Sequence, residues 1–505
     1  MALARAFGAI VNGVSGQIVV VEVDHSRGLP GVGMVGLPDA SVSEAKHRAK
    51  TAIGNQQLSW PKGRITISLS PAEVRKHGAG LDLAIAIGVL GATHQIRESS
   101  LAETVFIGEL GLDGSIRQVP GALSSTIAAA QAGFERVVVP VGNAQQCVVV
   151  KGIKVVSFRS LKHLIGGLDG NELPEPITSD LEELHQHHGD LDLIDVLGQE
   201  HARWALEVAA VGRHNMVMVG PPGVGKTLLA ERLPGILPAL QPDESLEVTA
   251  IHSLAGALPS GSSISRAPFE APHHSASTSA IVGSVQGHRV RPGALTRAHR
   301  GVLFLDEAPE FARNALEALR QPLEAGTITL HRSHWSGVLP ADFQLIMAAN
   351  PCPCGRASIE SNLDCTCTSA ARRNYAQRLS GPLLDRMDIN LSIPASTSLT
   401  VGDSTEIVAA RVRQARERAN DRFRNRAWKV NASIPAHQLR TEFFPESEGV
   451  ELLTQVRQSN GGLRGSHRIL RVAWSLADLA GHDRPTRSDI AMAIHLRERP
   501  GALAT

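Results

Sequence analysis

The chain has 505 residues, of which 43% are hydrophobic and 20% charged, with a formal net charge of +1. That length calls for two or three cores, and that balance excludes a disordered or fibrous chain. The near-zero charge excludes a global field as the basis for holding nucleic acid, so any such binding needs a local patch. The first ten residues, Met1-Ala-Leu-Ala-Arg-Ala-Phe-Gly-Ala-Ile, lack the pattern of a secretory signal, and no apolar run reaches membrane-spanning length. A cytoplasmic protein with no membrane attachment is expected.

In chain order, Gly16–Val23 reads as a strand, Arg64–Leu69 alternates with period two, and Leu81–Leu90 is an apolar helix. Asp113-Gly114 within Val105–Arg117 signals a hairpin, and Ala122–Ala132 reads as a helix stopped by Gly133 before the strand Arg136–Val139. These make an α/β unit over residues 1–168. Gly166–Asp190 is Gly-, Pro- and acid-rich, so 169–190 is expected to be a linker. An α/β core follows over 191–396, with Ser260–Gly293 read as a Gly/Ser/His-rich insertion. Residues 397–505 are expected to be helical, with helix spacing in Glu406–Ala427, Glu448–Gln458, Arg468–Leu479 and Ser488–Arg497.

Within the core, the apolar run Met216–Val219 leads into Gly220-Pro221-Pro222-Gly223-Val224-Gly225-Lys226-Thr227, and a helical sequence follows. Strand, Gly-rich turn and helix in that order make a phosphate-binding loop. Its backbone N–H groups turn onto phosphate oxygens, Lys226 supplies a cation to the outer phosphates, and the Thr227 hydroxyl ligates Mg2+. Downstream, Val302–Leu305 ends in Asp306-Glu307, a Walker B element. There Asp306 holds the Mg2+ of bound ATP and Glu307 polarises the attacking water. The two motifs together argue hydrolysis as well as binding.

Four of the five cysteines crowd into Cys352-Pro-Cys354 and Cys365-Thr-Cys367. Four thiolates suit a closed structural Zn2+ site, although C-x-C departs from the commoner C-x-x-C and reduced thiols are the competing reading. Cys147 stands alone. The densest basic run is Arg411, Arg413, Arg416, Arg418, Arg422, Arg424, Arg426 and Lys429, either a track for a phosphate backbone or a solvated helix face.

Further motifs carry a resemblance. Asp195-Val-Leu-Gly-Gln199, His214-Asn, Ala271-Pro-His-His274, Arg291-Pro-Gly, Leu319-Arg-Gln-Pro-Leu-Glu-Ala-Gly, Asn350-Pro-Cys-Pro-Cys-Gly and Leu383-Leu-Asp-Arg386 resemble the magnesium-chelatase-like AAA+ ATPases, and nearly end to end the chain looks like the YifB/ComM family. The resemblance implies an amino-terminal Lon-protease-like α/β domain, a P-loop AAA+ core with insertions and a carboxy-terminal helical lid. It also implies a cytosolic ring, a hexamer of identical chains, acting as a DNA helicase that promotes branch migration in recombination and natural transformation.

The resemblance makes Asn350 the sensor-1 residue that orients the lytic water and Arg386 the arginine finger for the neighbouring subunit's nucleotide. Arg464 fits sensor 2, with Arg468 competing. It also makes His273, His274, Arg289 and Arg291 in the insertion candidates for DNA contact, mainly to phosphate because aromatic residues are only 3% of the chain. In the Lon-like domain, Gly80 stands about where the serine nucleophile belongs, and no lysine lies between Lys76 and Lys151 to serve as its base. An ATP-dependent protease is therefore disfavoured. A chelatase-type remodelling ATPase and a noncatalytic nucleotide switch stay open as competing functions.

Overall fold

Alternating and continuous apolar runs both become strands in this chain, for different reasons. The structure, a computed structural model, describes residues 2–97, 100–168, 182–183, 191–258, 262–286, 289–332, 335–357, 365–395, 399–460 and 463–498. Arg64–Ser70 alternates because one face of its sheet is covered, and its buried side chains are Ile65, Ile67 and Leu69. Met216–Val219, Val302–Leu305 and Gln344–Ala349 are buried at every position, as strands of a parallel sheet covered on both faces must be.

The amino-terminal unit is a seven-stranded mixed sheet in the order Gly31–Val35, Arg64–Ser70, Ser15–Ser26, Ala2–Asn12, Thr104–Phe106, Arg136–Pro140, Lys154–Phe158. Ala2–Asn12 pairs antiparallel with Ser15–Ser26 over its whole length, a strand that the sequence reading did not identify. The helix Asp82–Ala92 is buried throughout, which is why it reads as apolar on all sides. Its one charge, Asp82, is held by Arg48 at 2.6 and 2.8 Å and by the Leu110 N–H at 3.2 Å. The expected Asp113-Gly114 hairpin forms between Glu109–Leu110 and Ile116–Arg117. The expected linker, 169–190, lies outside the described residues apart from Glu182–Glu183, which pair with Ser262–Ser263.

The core sheet has five parallel strands in the order Phe269–Glu270, Val302–Leu305, Gln344–Ala349, Met216–Val219, Ile389–Ser392. Phe269–Glu270 corrects the reading of 260–293 as an insertion throughout, because it is the sheet's edge strand. Gly283–Gln286 and Arg289–Pro292 in the same stretch form a hairpin, and a second hairpin joins Thr327–Arg332 to Trp335–Pro340. Since all five core strands run the same way, their carboxyl ends, and the loops that follow, meet along one edge. That edge is where open α/β sheets bind ligands.

Four helices, Thr405–Arg422, Ser447–Asn460, Leu463–Ala480 and Arg487–His495, close the molecule. Leu463–Ala480 is the pivot. Arg468 reaches Asp388 at 2.5 Å, Trp474 Nε1 donates to the Phe443 carbonyl at 2.9 Å, and Ser475 Oγ meets His214 Nε2 at 2.8 Å. The amino-terminal unit packs on the core through Leu123, Val149 and Val150 against Ala250, and Ser253 Oγ donates to Gln146 Oε1 at 2.8 Å. Among the described residues no helix is long and apolar enough to cross a membrane.

Candidate nucleotide site

The carboxyl edge of the core sheet assembles the site. Register sets Val219 beside Ala349 and Leu305 beside Met347, so Gly220, Asp306 and Asn350 emerge at neighbouring points. Gly223-Val224-Gly225 turns the chain from strand into the helix Lys226–Ile236. Gly225 is its N-cap at φ +89, a left-handed conformation that a side chain would strain. The N-terminus of that helix points its unpaired N–H groups at the loop's concavity.

Lys226 is almost wholly buried. Its Nζ donates to the carbonyls of Gly220 and Pro221 at 2.7 and 2.8 Å and to Asn350 Oδ1 at 3.1 Å. Burial pushes this ammonium down from its usual range, against the opposing charges of Asp306 and Glu307. Beside it, Thr227 Oγ1 donates to Asp306 Oδ2 at 2.8 Å. A hydroxyl and a carboxylate in contact are the hard oxygen donors that Mg2+ takes alongside nucleotide phosphates, so the donor set fits the cofactor that the motifs imply.

Glu307 follows at φ +50, a conformation that costs a non-glycine residue on the order of 1 kcal/mol or more. Two contacts hold it there: its N–H donates to Asp306 Oδ1 at 2.9 Å, and its Oε2 lies 3.1 Å from His274 Nδ1. The structure thus sets His274 against a nucleotide-site carboxylate. The His273 ring lies against it, centroids 4.1 Å apart and tilted by 34°, and remains exposed, as does Arg291 on the neighbouring hairpin. The side chains of Arg289 and Arg464 lie outside the described residues.

Arg386 lies at the other end of the same sheet. The Asp388 N–H donates to the Asn215 carbonyl, and Asn215 Nδ2 to the Arg386 carbonyl, so Arg386 sits level with the start of the P-loop strand. The five residue steps from Asn215 to Gly220 span about 16 Å, beyond the reach of an arginine side chain back to its own P-loop. Arg386 pairs with Glu324 and donates to the Pro382 carbonyl at 2.5 Å, while its buried Nε has no partner. Arg468 lies beside it, donating to the Arg386 carbonyl at 3.2 Å as well as to Asp388. Arg213, Arg386, Arg468 and Arg471 line one cavity of about 190 Å³ with Glu324, Asp342 and Asp388.

Burial alone would raise the Asp388 carboxyl, but the His214 hydrogen bond and the Arg468 charge overcome it and hold the group far below the usual carboxylate range. His214, Glu324 and Asp388 are site-shaping residues that the sequence reading left without roles. His214 and Glu324 lie within the motifs that carry the family resemblance, yet nothing local in the sequence shows what they touch.

Five cations of the basic run are engaged within the chain. Arg411 clasps Glu207 at 2.6 and 2.9 Å, Arg416 donates to the Ala210 carbonyl at 2.5 Å, and Arg418 to that of Asp478 at 2.5 Å. Arg422 forks onto Asp478 at 2.7 and 2.8 Å over the face of Trp474, and Arg426 pairs with Glu442. These cations fasten the helical segment to the core and to itself. The four clustered cysteines do converge, with all four Sγ atoms within 4.8 Å of one another, and Cys147 is buried apart from them.

Comparison with known proteins agrees with this architecture. Residues 192–401 match the family model of magnesium chelatase subunit ChlI, residues 402–497 that of the ChlI C-terminal region, and residues 21–143 a further model described as subunit ChlI of Mg-chelatase. An uncharacterised protein of Mycobacterium tuberculosis is 46% identical over 99% of both chains. The uncharacterised protein YifB of Escherichia coli is 40% identical over 96% of this chain and 95% of its own. The competence protein ComM of Haemophilus influenzae is 37% identical over 98% of each. With these relatives matched from end to end, and a P-loop site at the carboxyl edge of a parallel sheet, the chain belongs to the YifB/ComM family of magnesium-chelatase-like AAA+ ATPases.

Proposed function

We propose that this ATPase is a DNA motor: hydrolysis at interfaces between identical subunits of a ring, six by family expectation, drives branch migration of recombining DNA in the cytoplasm. The observation that carries the reading is the division of the hydrolytic residues between opposite ends of one sheet. Lys226, Thr227, Asp306, Glu307 and Asn350 share one end, and Arg386 occupies the other.

Bound MgATP supplies the phosphoanhydride whose cleavage releases free energy. Lys226 and the loop N–H groups neutralise the phosphates, Thr227 and Asp306 hold Mg2+, and Asn350 and Glu307 orient and polarise water. Glu307 takes the water's proton as it attacks. Arg386 enters from the adjacent chain, leaving Glu324, and meets negative charge as it develops. His274 connects Glu307 to the segment bearing His273 and Arg291, the candidate DNA contacts, and so gives that segment a mechanical hold on the catalytic carboxylate.

DNA as the substrate rests on the exposed His273 and Arg291 and on the competence role in the name of the ComM relative. A second reading, a chelatase-type ATPase that remodels a protein partner, draws on the magnesium-chelatase family matches. Proteolysis has no chemical basis at Gly80. The nearest upstream candidate, Lys76, is buried with its Nζ donating to the Pro71 carbonyl.

The deciding experiment is steady-state ATPase activity without DNA, with single-stranded DNA and with a branched junction, using Glu307→Gln as the blank. Turnover stimulated by DNA and absent from the variant is expected. Turnover indifferent to every DNA would overturn the DNA-motor reading and favour protein remodelling.

A further inference from the structure

The loop after Asn350 has a construction that the nucleotide site alone does not explain. Cys352 Sγ lies 3.3 Å from Cys354 Sγ and 3.7 Å from Cys365 Sγ, and Cys354 Sγ lies 3.8 Å from Cys365 Sγ. With Cys367 included, all four sulfurs fall within 4.8 Å of one another. No cysteine of the cluster is in a disulfide. Four sulfurs tetrahedrally bound at Zn–S distances of about 2.3 Å sit about 3.8 Å apart, the spacing to which these edges are close.

Backbone N–H groups also point at the sulfurs: Ala357 N is 3.4 Å from Cys352 Sγ, and Arg356 and Thr366 donate to Cys354. Such donors stabilise anionic sulfur in the way that carboxylate partners orient metal-bound histidines. Three of the four cysteines are only partly buried, so an apolar core is not what gathers them.

The cluster is built into the wall of the nucleotide site. Cys352 is two residues beyond Asn350, whose Oδ1 accepts from Lys226. Gly355, at φ +75, lies so close to the P-loop that an added Cβ would come within 2.7 Å of the Pro222 ring. Cys367 leads directly into the helix Ser369–Gln377, where the buried Tyr375 hydroxyl is hydrogen-bonded to the Asn350 backbone. Arg378, just past that helix, donates to the Pro309 carbonyl at 3.2 Å and to Glu310 at 2.7 Å, on the turn after Glu307. One bound ion would therefore fix the loop that touches both Walker elements.

We propose that Cys352, Cys354, Cys365 and Cys367 bind one Zn2+ as a closed tetrathiolate, and that this ion holds Asn350 and Pro222 in the geometry that nucleotide turnover requires. The ion takes no part in the chemistry, because four-coordinate sulfur leaves it no open position. The coupling, though not the zinc site, rests on the ATPase reading of Lys226 and Asn350.

The test begins with the full-length protein expressed in zinc-supplemented medium, freed of loose metal by gel filtration and analysed for metal by mass spectrometry. About one zinc per chain is expected, and its replacement by Co2+ should give the visible bands of tetrahedral cobalt thiolate. A chain without zinc, or one holding iron in its place, overturns the assignment. The Cys365→Ser/Cys367→Ser variant should lose zinc, bind a fluorescent ADP analogue more weakly and turn over ATP on the order of ten-fold more slowly. Cys147→Ala should keep zinc and turnover.

If the double variant does not fold, zinc is stripped from the wild-type chain with an organomercurial, and thermal unfolding checks that the stripped chain remains folded. A folded, zinc-free chain that binds the ADP analogue and hydrolyses ATP at wild-type rates overturns the coupling. A zinc-loaded wild-type chain that neither binds the analogue nor hydrolyses ATP would sink the ATPase reading, and the coupling with it, while the zinc count stands.

Discussion

The two ends of the five-stranded core sheet are chemically opposite. At the carboxyl end Lys226 meets Asn350, Thr227 meets Asp306 and Glu307 meets His274 around a concave loop. At the amino end Arg213, Arg386, Arg468 and Arg471 line a cavity with Glu324, Asp342 and Asp388, and one guanidinium nitrogen, Arg386 Nε, is buried without a partner. The first end is arranged to receive a phosphate chain and a divalent cation. The second sets four arginines against three carboxylates. Because strand length keeps the two apart, the proposed hydrolytic site would take its arginine from the second end of another copy.

The largest effect expected at the carboxyl end is that of Glu307→Gln, which should retain nucleotide but lower turnover by about 10²- to 10⁴-fold, measured as steady-state phosphate release. At the amino end, Arg386→Ala should lower turnover on the order of 10³-fold with little change in the affinity for a fluorescent ATP analogue. Parallel loss of affinity and turnover would place Arg386 in its own chain's site and break the comparison. His274→Ala should slow turnover on the order of ten-fold by freeing Glu307, and His274→Gln, which still donates a hydrogen bond, should recover most of it. An unchanged rate in the alanine variant would leave the contact without a positioning role.

The last prediction concerns stability. Asp388→Ala removes the buried partner of His214 and Arg468 and should cost about 3 kcal/mol in denaturant unfolding. The sign of the pH dependence follows from the depressed carboxyl. Its stabilisation is fully present above the unfolded value near 4 and is lost only as pH falls toward the much lower folded value. Wild type and variant should therefore differ by the same amount from about pH 5 to pH 8 and converge only in strong acid.

The carboxyl end was legible in the sequence because each of its motifs is local. Gly220–Thr227 and Asp306-Glu307 each contain strand end, turn and functional side chain within a few residues. The amino end was legible only as isolated arginines. Its partners come from Arg213, Glu324, Asp342, Asp388 and Arg471, and only the crossover topology brings them together. The same limit explains the basic run at 411–429, whose charges are plain in the sequence while Glu207 and Asp478, which absorb several of them, lie on other helices. Ala2–Asn12 shows a different limit: its small residues and Arg5 carry little strand signal, and complete pairing with Ser15–Ser26 decides its conformation. The family resemblance points to His274 through its place in the insertion, but its contact with Glu307 depends on Phe269–Glu270 joining the core sheet.

The most direct test mixes two inactive chains. Lys226→Ala destroys the carboxyl end and keeps Arg386, whereas Arg386→Ala keeps an intact carboxyl end. If hydrolysis joins the two ends across subunits, an equimolar mixture should regain ATPase activity at about a quarter of its interfaces, those pairing an intact P-loop with an intact arginine. A mixture as inactive as either variant alone, with subunit exchange verified, would contradict the shared site.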